Sequence, residues 1–244
     1  MLQALLKLVG RSPDLPTSTI PEICLFVSGY KTALRFVCQQ KSRSHIRDLA
    51  TKFGLSIAEA KIHSHHEGTT WSSTRAIVGT CGFEKTVEHL IIISQERGTA
   101  ESVLDWELKG CANLVGETLG YPKCCIEAYQ EICHYNRRWG LYYFDKDGLG
   151  PHPFWANRLT IGWGGLSPIG ELYPCSLQCL SAQRIGQLTL SLLQKYGLIR
   201  LYDHIRKHAS QNVFVNQEGD IVAAKDFLKQ TTKVDWVEVR FEEN

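Results

Sequence analysis

Apolar residues recur at helical spacing through the first third of the chain. After Pro21, whose fixed backbone suits the first turn of a helix, they stand at Ile23, Phe26, Val27, Tyr30, Leu34 and Val37. This spacing predicts a helix over residues 21–37. The stretch HIRDLATKFGLSIAEAKI at 45–62 predicts two more helices joined at Gly54, and Ser56 with Glu59 would form a capping box at the start of the second.

The pattern changes in the middle of the chain. RAIVGT (75–80) and EHLIIIS (88–94) are short, apolar and rich in β-branched residues, which predicts two strands. Helices are predicted at 99–119, from Pro122 onward, from Pro174 to about Gly197, and at 198–208. The stretch 140–172 is rich in Gly, Pro and aromatic residues, which favours an ordered loop. NVFVN (212–216), DIVAA (220–224) and KVDWVEVRF (233–241) predict closing antiparallel strands.

Together these elements predict an α+β fold that is helix-rich in its N-terminal and central parts and carries a small mixed or antiparallel sheet. The change of pattern near residue 70 predicts two regions. Residues 1–70 would form an N-terminal helical region, and residues 71–244 an α+β region that contains the cysteine motifs. One continuous domain is the alternative.

The composition of the 244-residue chain excludes several classes of protein. Its hydrophobic fraction of 43% is ordinary for a globular protein, and no run of about 18 apolar residues predicts a membrane span. The N-terminus lacks the features of a signal peptide, so we expect a cytoplasmic protein. A net charge of +2 gives no strong field for nucleic acid, and KSRSHIR (41–47) is the clearest basic patch.

Two cysteine motifs carry the clearest chemical signal. Nine cysteines in a chain without an export signal predict thiols, metal ligands or redox groups rather than disulfides. GYPKCC (120–125) and LYPCSLQC (172–179) both place Tyr-Pro directly ahead of cysteines. Pro122 and Pro174 are expected to open helices, which puts Cys124, Cys125 and Cys175 in first turns. Free backbone amides and the helix dipole there stabilise thiolate, the form that binds metal.

The two helix starts are predicted to bring four thiolates to one metal centre. The predicted ligands are Cys124, Cys125, Cys175 and Cys179. Four thiolates suit either Zn²⁺ or an Fe–S cluster, and the spacing does not choose between them. If only one of the two adjacent cysteines reached the metal, an open position would remain for water, for a substrate, or for His134 or His152.

Two alternatives use no metal. Cys175, Cys179, Ala182 and Gly186 form a stripe of small residues that would let another helix pack closely. Cys175 and Cys179 could also form a reversible disulfide, although redox motifs usually have two intervening residues rather than three. The duplicated Tyr-Pro context favours the metal site, because a packed core does not need cysteine in a first turn. The cysteines predicted to be core residues are Cys24, Cys38, Cys81 and Cys111.

The two motifs resemble the paired signature of a family of small uncharacterised prokaryotic proteins. The family pattern is Leu-Gly-Tyr-Pro-x-Cys-Cys followed by Pro-Cys-Ser-x-x-Cys, and the resemblance covers roughly residues 100–190. The first motif matches fully, whereas Tyr173 stands where the pattern has a histidine. The resemblance implies that the four cysteines belong together, and it brings no assigned reaction.

Other histidines are weaker candidates. PHPFWANR (151–158) lies between the two motifs, where His152 could act as a ligand or acid–base group and Asn157 could hydrogen-bond a substrate. An ordered loop held by aromatic packing is the competing interpretation. The run IHSHHEG (62–68) offers three histidines that could bind a metal, although histidines also cap the carbonyls at helix ends. They are His63, His65 and His66.

Residues 45–66 also resemble a helix-turn-helix, the basis of a DNA-binding hypothesis. Lys41, Arg43 and Arg47 could contact phosphates. The second helix offers Glu59 and few side chains that read bases, so a nucleic-acid partner is not favoured.

The sequence as a whole favours a thiolate metalloprotein with redox-capable cysteines. We expect an enzyme of unassigned reaction with a small-molecule substrate, a zinc ion or Fe–S cluster as cofactor, and no membrane partner. The alternatives are a helix-turn-helix regulator with a cysteine sensor and a metal-free thiol redox protein. The sequence does not fix the oligomeric state.

Overall fold

The described residues form a helix-rich α+β fold, as the hydrophobic pattern predicted. The computed structural model describes residues 1–12, 15, 19–63, 87–135, 139–148, 150, 152–153, 169–170, 172–209, 212–215 and 221–223. Within these ranges the helices are α1 (Leu2–Arg11), α2 (Thr19–Val27), α3 (Gln40–Lys52), α4 (Thr99–Leu108), α5 (Ala112–Thr118), α6 (Lys123–His134), α7 (Trp139–Asp147), α8 (Leu180–Lys195) and α9 (Ile199–Ala209). The strands are β1 (Ala33–Cys38), β2 (Ser56–His63), β3 (Val87–Ser94), β4 (His152–Pro153), β5 (Asn212–Val215) and β6 (Ile221–Ala223).

The chain divides into two compact units. Unit 1 comprises Met1–Pro16 and Lys31–Leu119, and unit 2 comprises Thr17–Tyr30 and Gly120–Asn244. The predicted boundary near residue 70 falls among residues 64–86, outside the described residues, and stays a prediction. The predicted strands at 75–80 and 233–241 lie outside them as well.

Unit 1 is built around an antiparallel sheet with the strand order β1-β3-β2. Its central strand β3 carries the run LIII, whose side chains are all buried, and the register aligns Phe36 of β1 and Glu59 of β2 with Ile91. Residues directly opposite one another share a face of the sheet, and the side chains of Glu59 and Arg43 on α3 bond on that face. Arg35 points to the other face, where Glu107 of α4 accepts its Nε–H at 3.0 Å.

The predicted second helix of residues 45–62 is wrong, because Ser56–His63 form β2. Gly54, at φ +63°, ends α3, and Leu55 N–H donates to Ala50 O at 2.9 Å, which turns the chain out of the helix. The residues that follow pair along the whole length of β3, so burial against an apolar strand outweighs the helical propensity of Ala, Glu and Lys. A capping box at Ser56 and Glu59 therefore does not form.

Two other predicted helices are shorter than the pattern indicated. The helix predicted at 21–37 ends at Val27, followed by a turn at Gly29 (φ +80°), and residues 33–38 are β1. The helix predicted at 99–119 is α4 and α5, separated at Gly110 (φ +72°). None of the helices in the described ranges is long and apolar enough to span a membrane.

Unit 2 has a helical part and a small sheet. Helix α8 packs against α2 and α9, and buries Ile185, Thr189 and Leu193 at helical spacing. Strands β4, β5 and β6 pair in that order, and both pairings are antiparallel. The antiparallel pairing predicted for NVFVN and DIVAA is therefore confirmed.

Candidate metal centre

The structure brings four cysteines of unit 2 together in one cluster. We call Cys124, Cys125, Cys175 and Cys179 the four-cysteine site. Their Sγ atoms all lie within 4.8 Å of one another, close enough to bind a metal ion. The Sγ of Cys179 lies 3.7 Å from that of Cys125 and 3.9 Å from that of Cys124, and the two adjacent cysteines are 3.9 Å apart. Both members of the adjacent pair therefore reach the cluster.

The first motif starts a helix as predicted. Pro122 is the N-cap of α6 at φ −61°, and its carbonyl accepts the N–H groups of Cys125 at 2.9 Å and Ile126 at 3.0 Å. Cys124 and Cys125 are thus the second and third helical residues, in the turn where the dipole is positive. Cys125 is buried and Cys124 is exposed, so the same turn contributes one buried and one exposed cysteine to the site.

The second motif does not start a helix at Pro174, which corrects the prediction. Residues 175–178 form turns, and α8 begins at Leu180 with Cys179 as its N-cap. Ser176 Oγ accepts the N–H of Gln178 at 3.0 Å, and a serine that bonds its own backbone in this way competes with helix formation. The Sγ of Cys179 accepts the N–H of Ala182 at 3.5 Å, so the thiol itself caps the helix.

Helix α7 holds this turn in place, although its residues fall in the stretch predicted as loop. Asp147 accepts two hydrogen bonds, from Ser176 Oγ at 2.7 Å and from Leu177 N–H at 2.8 Å. Tyr143, one helical turn earlier and fully buried, donates its hydroxyl to Pro174 O at 2.8 Å. The sequence analysis missed both residues. The signal available was their spacing of four within WGLYYFDKD, which the surrounding glycines and prolines obscured.

An aromatic core supports the site. Tyr143 packs in a buried cluster with Ala128, Ile132, Tyr142, Tyr173 and Leu177, and Tyr129 and Cys175 pack against it. The rings of Tyr129 and Tyr173 lie 6.4 Å apart between centroids. Tyr173, at the position where the family pattern has histidine, is therefore buried against α6.

The thiols perturb one another strongly. Hydrogen bonds from Cys125 and Cys175 hold the pKa of Cys179 well below its usual range, and the N–H of Ala182 acts in the same direction. Hydrogen bonds with Cys175 and Cys179 raise the pKa of Cys125 well above its usual value, and burial adds to the effect. The pKa of Cys175 rises to about 12 although a bond with Cys125 opposes the shift, because a bond with Cys179 and burial raise it. Hydrogen bonds with the neighbouring thiols therefore favour the thiolate form of Cys179.

The histidines proposed for an open position do not join the cluster. His152 is buried, its Nε2 lies 2.9 Å from Gly148 O, and its Nδ1 lies 3.5 Å from Gln178 Nε2. His134 is exposed at the last turn of α6, nine residues after Cys125 and so about 14 Å along the helix axis. Asn157 lies outside the described residues, and the catalytic roles of His152 and Asn157 stay predictions.

The remaining candidates divide as follows. Cys24 and Cys38 are buried, as predicted for core residues, whereas Cys111 is half-buried and Cys81 lies outside the described residues. His63 ends β2 rather than a helix, and His65 and His66 lie outside the described residues.

The helix-turn-helix hypothesis loses its structural basis because its second helix is β2. Two of its basic residues share one carboxylate: Arg43 Nε lies 2.9 Å from Glu59 Oε2, and Arg47 Nη1 lies 3.5 Å from Glu59 Oε1. The positive charge of this surface is therefore partly neutralised.

Comparison with protein-family models, with curated proteins and with solved structures finds no match for this chain. The geometry of the four-cysteine site is therefore the basis on which we infer a function.

Proposed function

We propose that the four-cysteine site binds one Zn²⁺ ion in tetrahedral coordination and that the protein is a zinc-thiolate protein. The carrying observation is the spacing of the sulfurs, with three Sγ–Sγ separations of 3.7 to 3.9 Å. A Zn–S bond of about 2.3 Å in a regular tetrahedron places the sulfurs about 3.8 Å apart. Three of the six separations thus match those that the ion requires, and all six lie inside 4.8 Å.

The same spacing disfavours an Fe–S cluster. The thiolates of a cubane bind separate iron atoms, so their sulfurs lie roughly 6 Å apart. Binding a cubane would need the turn at residues 175–178, called here the cysteine turn, to move away from α6. Its two hydrogen bonds to Asp147 and the bond from Tyr143 to Pro174 O oppose that movement. A single iron ion has the same tetrahedral requirement as zinc, and the metal analysis below distinguishes the two.

The surroundings suit a centre of net negative charge. Four thiolates and Zn²⁺ carry a net charge of −2, and the positive ends of the α6 and α8 dipoles both lie at the sulfurs. Lys146 adds a cation. A hydrogen bond that its Nζ donates to the Tyr142 hydroxyl at 3.0 Å raises its pKa. The N–H of Ala182 then supports Cys179 from outside the coordination sphere.

Four protein ligands complete a tetrahedron, which is the pattern of structural rather than hydrolytic zinc. We therefore propose that the ion stabilises unit 2 by joining the start of α6 to the turn before α8. Membership in the prokaryotic family with the two cysteine motifs is part of the proposal, supported by the meeting of both motifs at one site. A small-molecule substrate stays a prediction.

Metal analysis tests the proposal. Protein purified without air should contain one zinc per chain and little iron or sulfide, and Co²⁺ in place of zinc should give the absorption of tetrahedral thiolate coordination. Cys125→Ser should weaken zinc binding at least about tenfold, because a thiolate ligand is lost. Cys133→Ser, half-buried on the same helix and outside the site, is the matched control and should bind normally.

Two results would contradict the zinc proposal. Stoichiometric iron with sulfide would require the site to rearrange around a cluster. Protein without metal that forms a disulfide within the four-cysteine site would support the metal-free thiol alternative, to which the 3.7 Å contact of Cys125 and Cys179 is also suited.

A further inference from the structure

The four cysteines of the site differ in their exposure to solvent. Cys125 and Cys179 are buried, Cys175 is half-buried against the aromatic core, and Cys124 is exposed. Cys124 follows Lys123, whose side chain is 85% exposed, so the outer surface of the α6 start is open. Cys124 is therefore the most solvent-exposed residue of the four-cysteine site.

The sulfurs also differ in the backbone groups that bond to them. Cys179 Sγ accepts the N–H of Ala182 at 3.5 Å. Cys124 Sγ lies 3.9 Å from the sulfurs of both Cys125 and Cys179, and neither of these contacts supplies an N–H donor. An N–H···S bond withdraws charge from a thiolate and lowers its nucleophilicity, so the exposed sulfur retains more of its charge.

We propose that Cys124, as a zinc-bound thiolate, is a modification site for small alkyl electrophiles, an inference that rests on the proposed zinc centre. A lone pair of Cys124 Sγ forms the new S–C bond while the bond from that carbon to its leaving group breaks. The leaving group departs with the bonding electrons, and no oxidant or reductant takes part.

Alkylation changes the centre as well as the residue. The product at Cys124 is a neutral thioether, so the net charge of the zinc centre falls from −2 to −1 and one strong ligand becomes a weak one. Alkylation thereby converts a zinc site with four strong thiolate ligands into one with three thiolates and one weakly bound thioether. Modification of Cys124 would loosen the zinc without separating the other three ligands from the core.

Peptide mapping tests the inference on the zinc-loaded full chain. Iodoacetamide is added below one equivalent, and the alkylated cysteine is identified by mass spectrometry. We expect Cys124 to react first, about tenfold or more faster than Cys125, Cys175 or Cys179, because its thiolate is exposed. Equal labelling of the four, or first labelling of Cys175, would overturn the inference.

Two controls separate direct attack from attack after zinc loss. Excess free Zn²⁺ should leave the labelling rate unchanged if the bound thiolate reacts, whereas a rate that falls in proportion to free zinc refutes direct attack. Cys124→Ser should abolish the fast label, and Cys133→Ser, on the same helix, should retain it. Zinc is measured on the same samples: one zinc per chain with labelling elsewhere refutes this inference alone, and absence of zinc refutes both proposals.

Discussion

Removal of the Asp147 carboxylate should weaken zinc binding although Asp147 is not a ligand. Asp147 accepts hydrogen bonds from Ser176 Oγ and Leu177 N–H, the two residues that directly follow Cys175. In the metal-free wild type these bonds already hold the turn. In Asp147→Ala the turn loses them, and zinc must order it on binding.

The expected magnitude follows from the two bonds. A hydrogen bond to a charged acceptor contributes about 1.5 kcal/mol at a partly exposed site, so two contribute about 3 kcal/mol. Because 1.4 kcal/mol is a tenfold change in an equilibrium constant, Asp147→Ala should bind zinc about a hundredfold more weakly. Asp147→Asn keeps one acceptor oxygen and should lose roughly tenfold.

Competition with a chromogenic chelator measures the effect. Asp203→Ala, an exposed aspartate on α9, serves as the matched control and should bind zinc like the wild type. Far-ultraviolet circular dichroism establishes that the variants are folded. An Asp147→Ala protein that is folded and binds zinc within about twofold of the wild type would refute the reasoning, because it would mean that the turn is fixed without Asp147.

Three further results are expected. Because the pKa values of Cys125 and Cys175 are raised, both thiols are protonated at pH 7, so zinc binding must release at least their two protons and must weaken as pH falls. Calorimetry in buffers of different ionisation enthalpy measures this proton release, and a binding heat that does not depend on the buffer would contradict it. Tyr143→Phe leaves the buried carbonyl of Pro174 without its hydrogen-bond donor. The free energy of unfolding of the zinc-loaded protein, measured by urea titration, should fall by about 1–2 kcal/mol, with no change in metal stoichiometry. The hydrogen bond with Arg43 lowers the pKa of Glu59, so the Arg43–Glu59 pair stabilises the fold at neutral pH and loses this effect as pH falls below the ordinary glutamate value of 4.5. The difference in Tm between wild type and Arg43→Ala should therefore shrink from pH 7 to pH 3. A difference that stays constant with pH would contradict this expectation.

The four-cysteine site could be predicted because its main signals are local. Pro122 fixes its own φ and begins α6, which determines where Cys124 and Cys125 stand in the first turn. The same reasoning was wrong at Pro174, because the competing interactions come from far along the chain. Asp147 is 29 positions from Ser176 and 30 from Leu177, and no local pattern reveals that its carboxylate binds there.

Long-range pairing also explains the error at β2. Ser56–His63 contain alanine, glutamate and lysine, which favour helix when judged alone. Their conformation is set by the apolar β3, beyond a connection of more than twenty residues, and by the bonds from Arg43 to Glu59. The predicted strand at 88–94 was confirmed because its short apolar run LIII, rich in β-branched isoleucine, is itself typical of a buried strand.

The two motifs of the four-cysteine site stand far apart in sequence, with Cys125 and Cys179 separated by 54 positions. A zinc ion held by both is thus a reversible cross-link that closes a long loop. A covalent cross-link closing a loop of this length would stabilise the fold by about 4 kcal/mol through the entropy of the unfolded chain. After a single proteolytic cut between the motifs, the metal would still join the two fragments, in addition to the aromatic core and the hydrogen bonds of Asp147 and Tyr143.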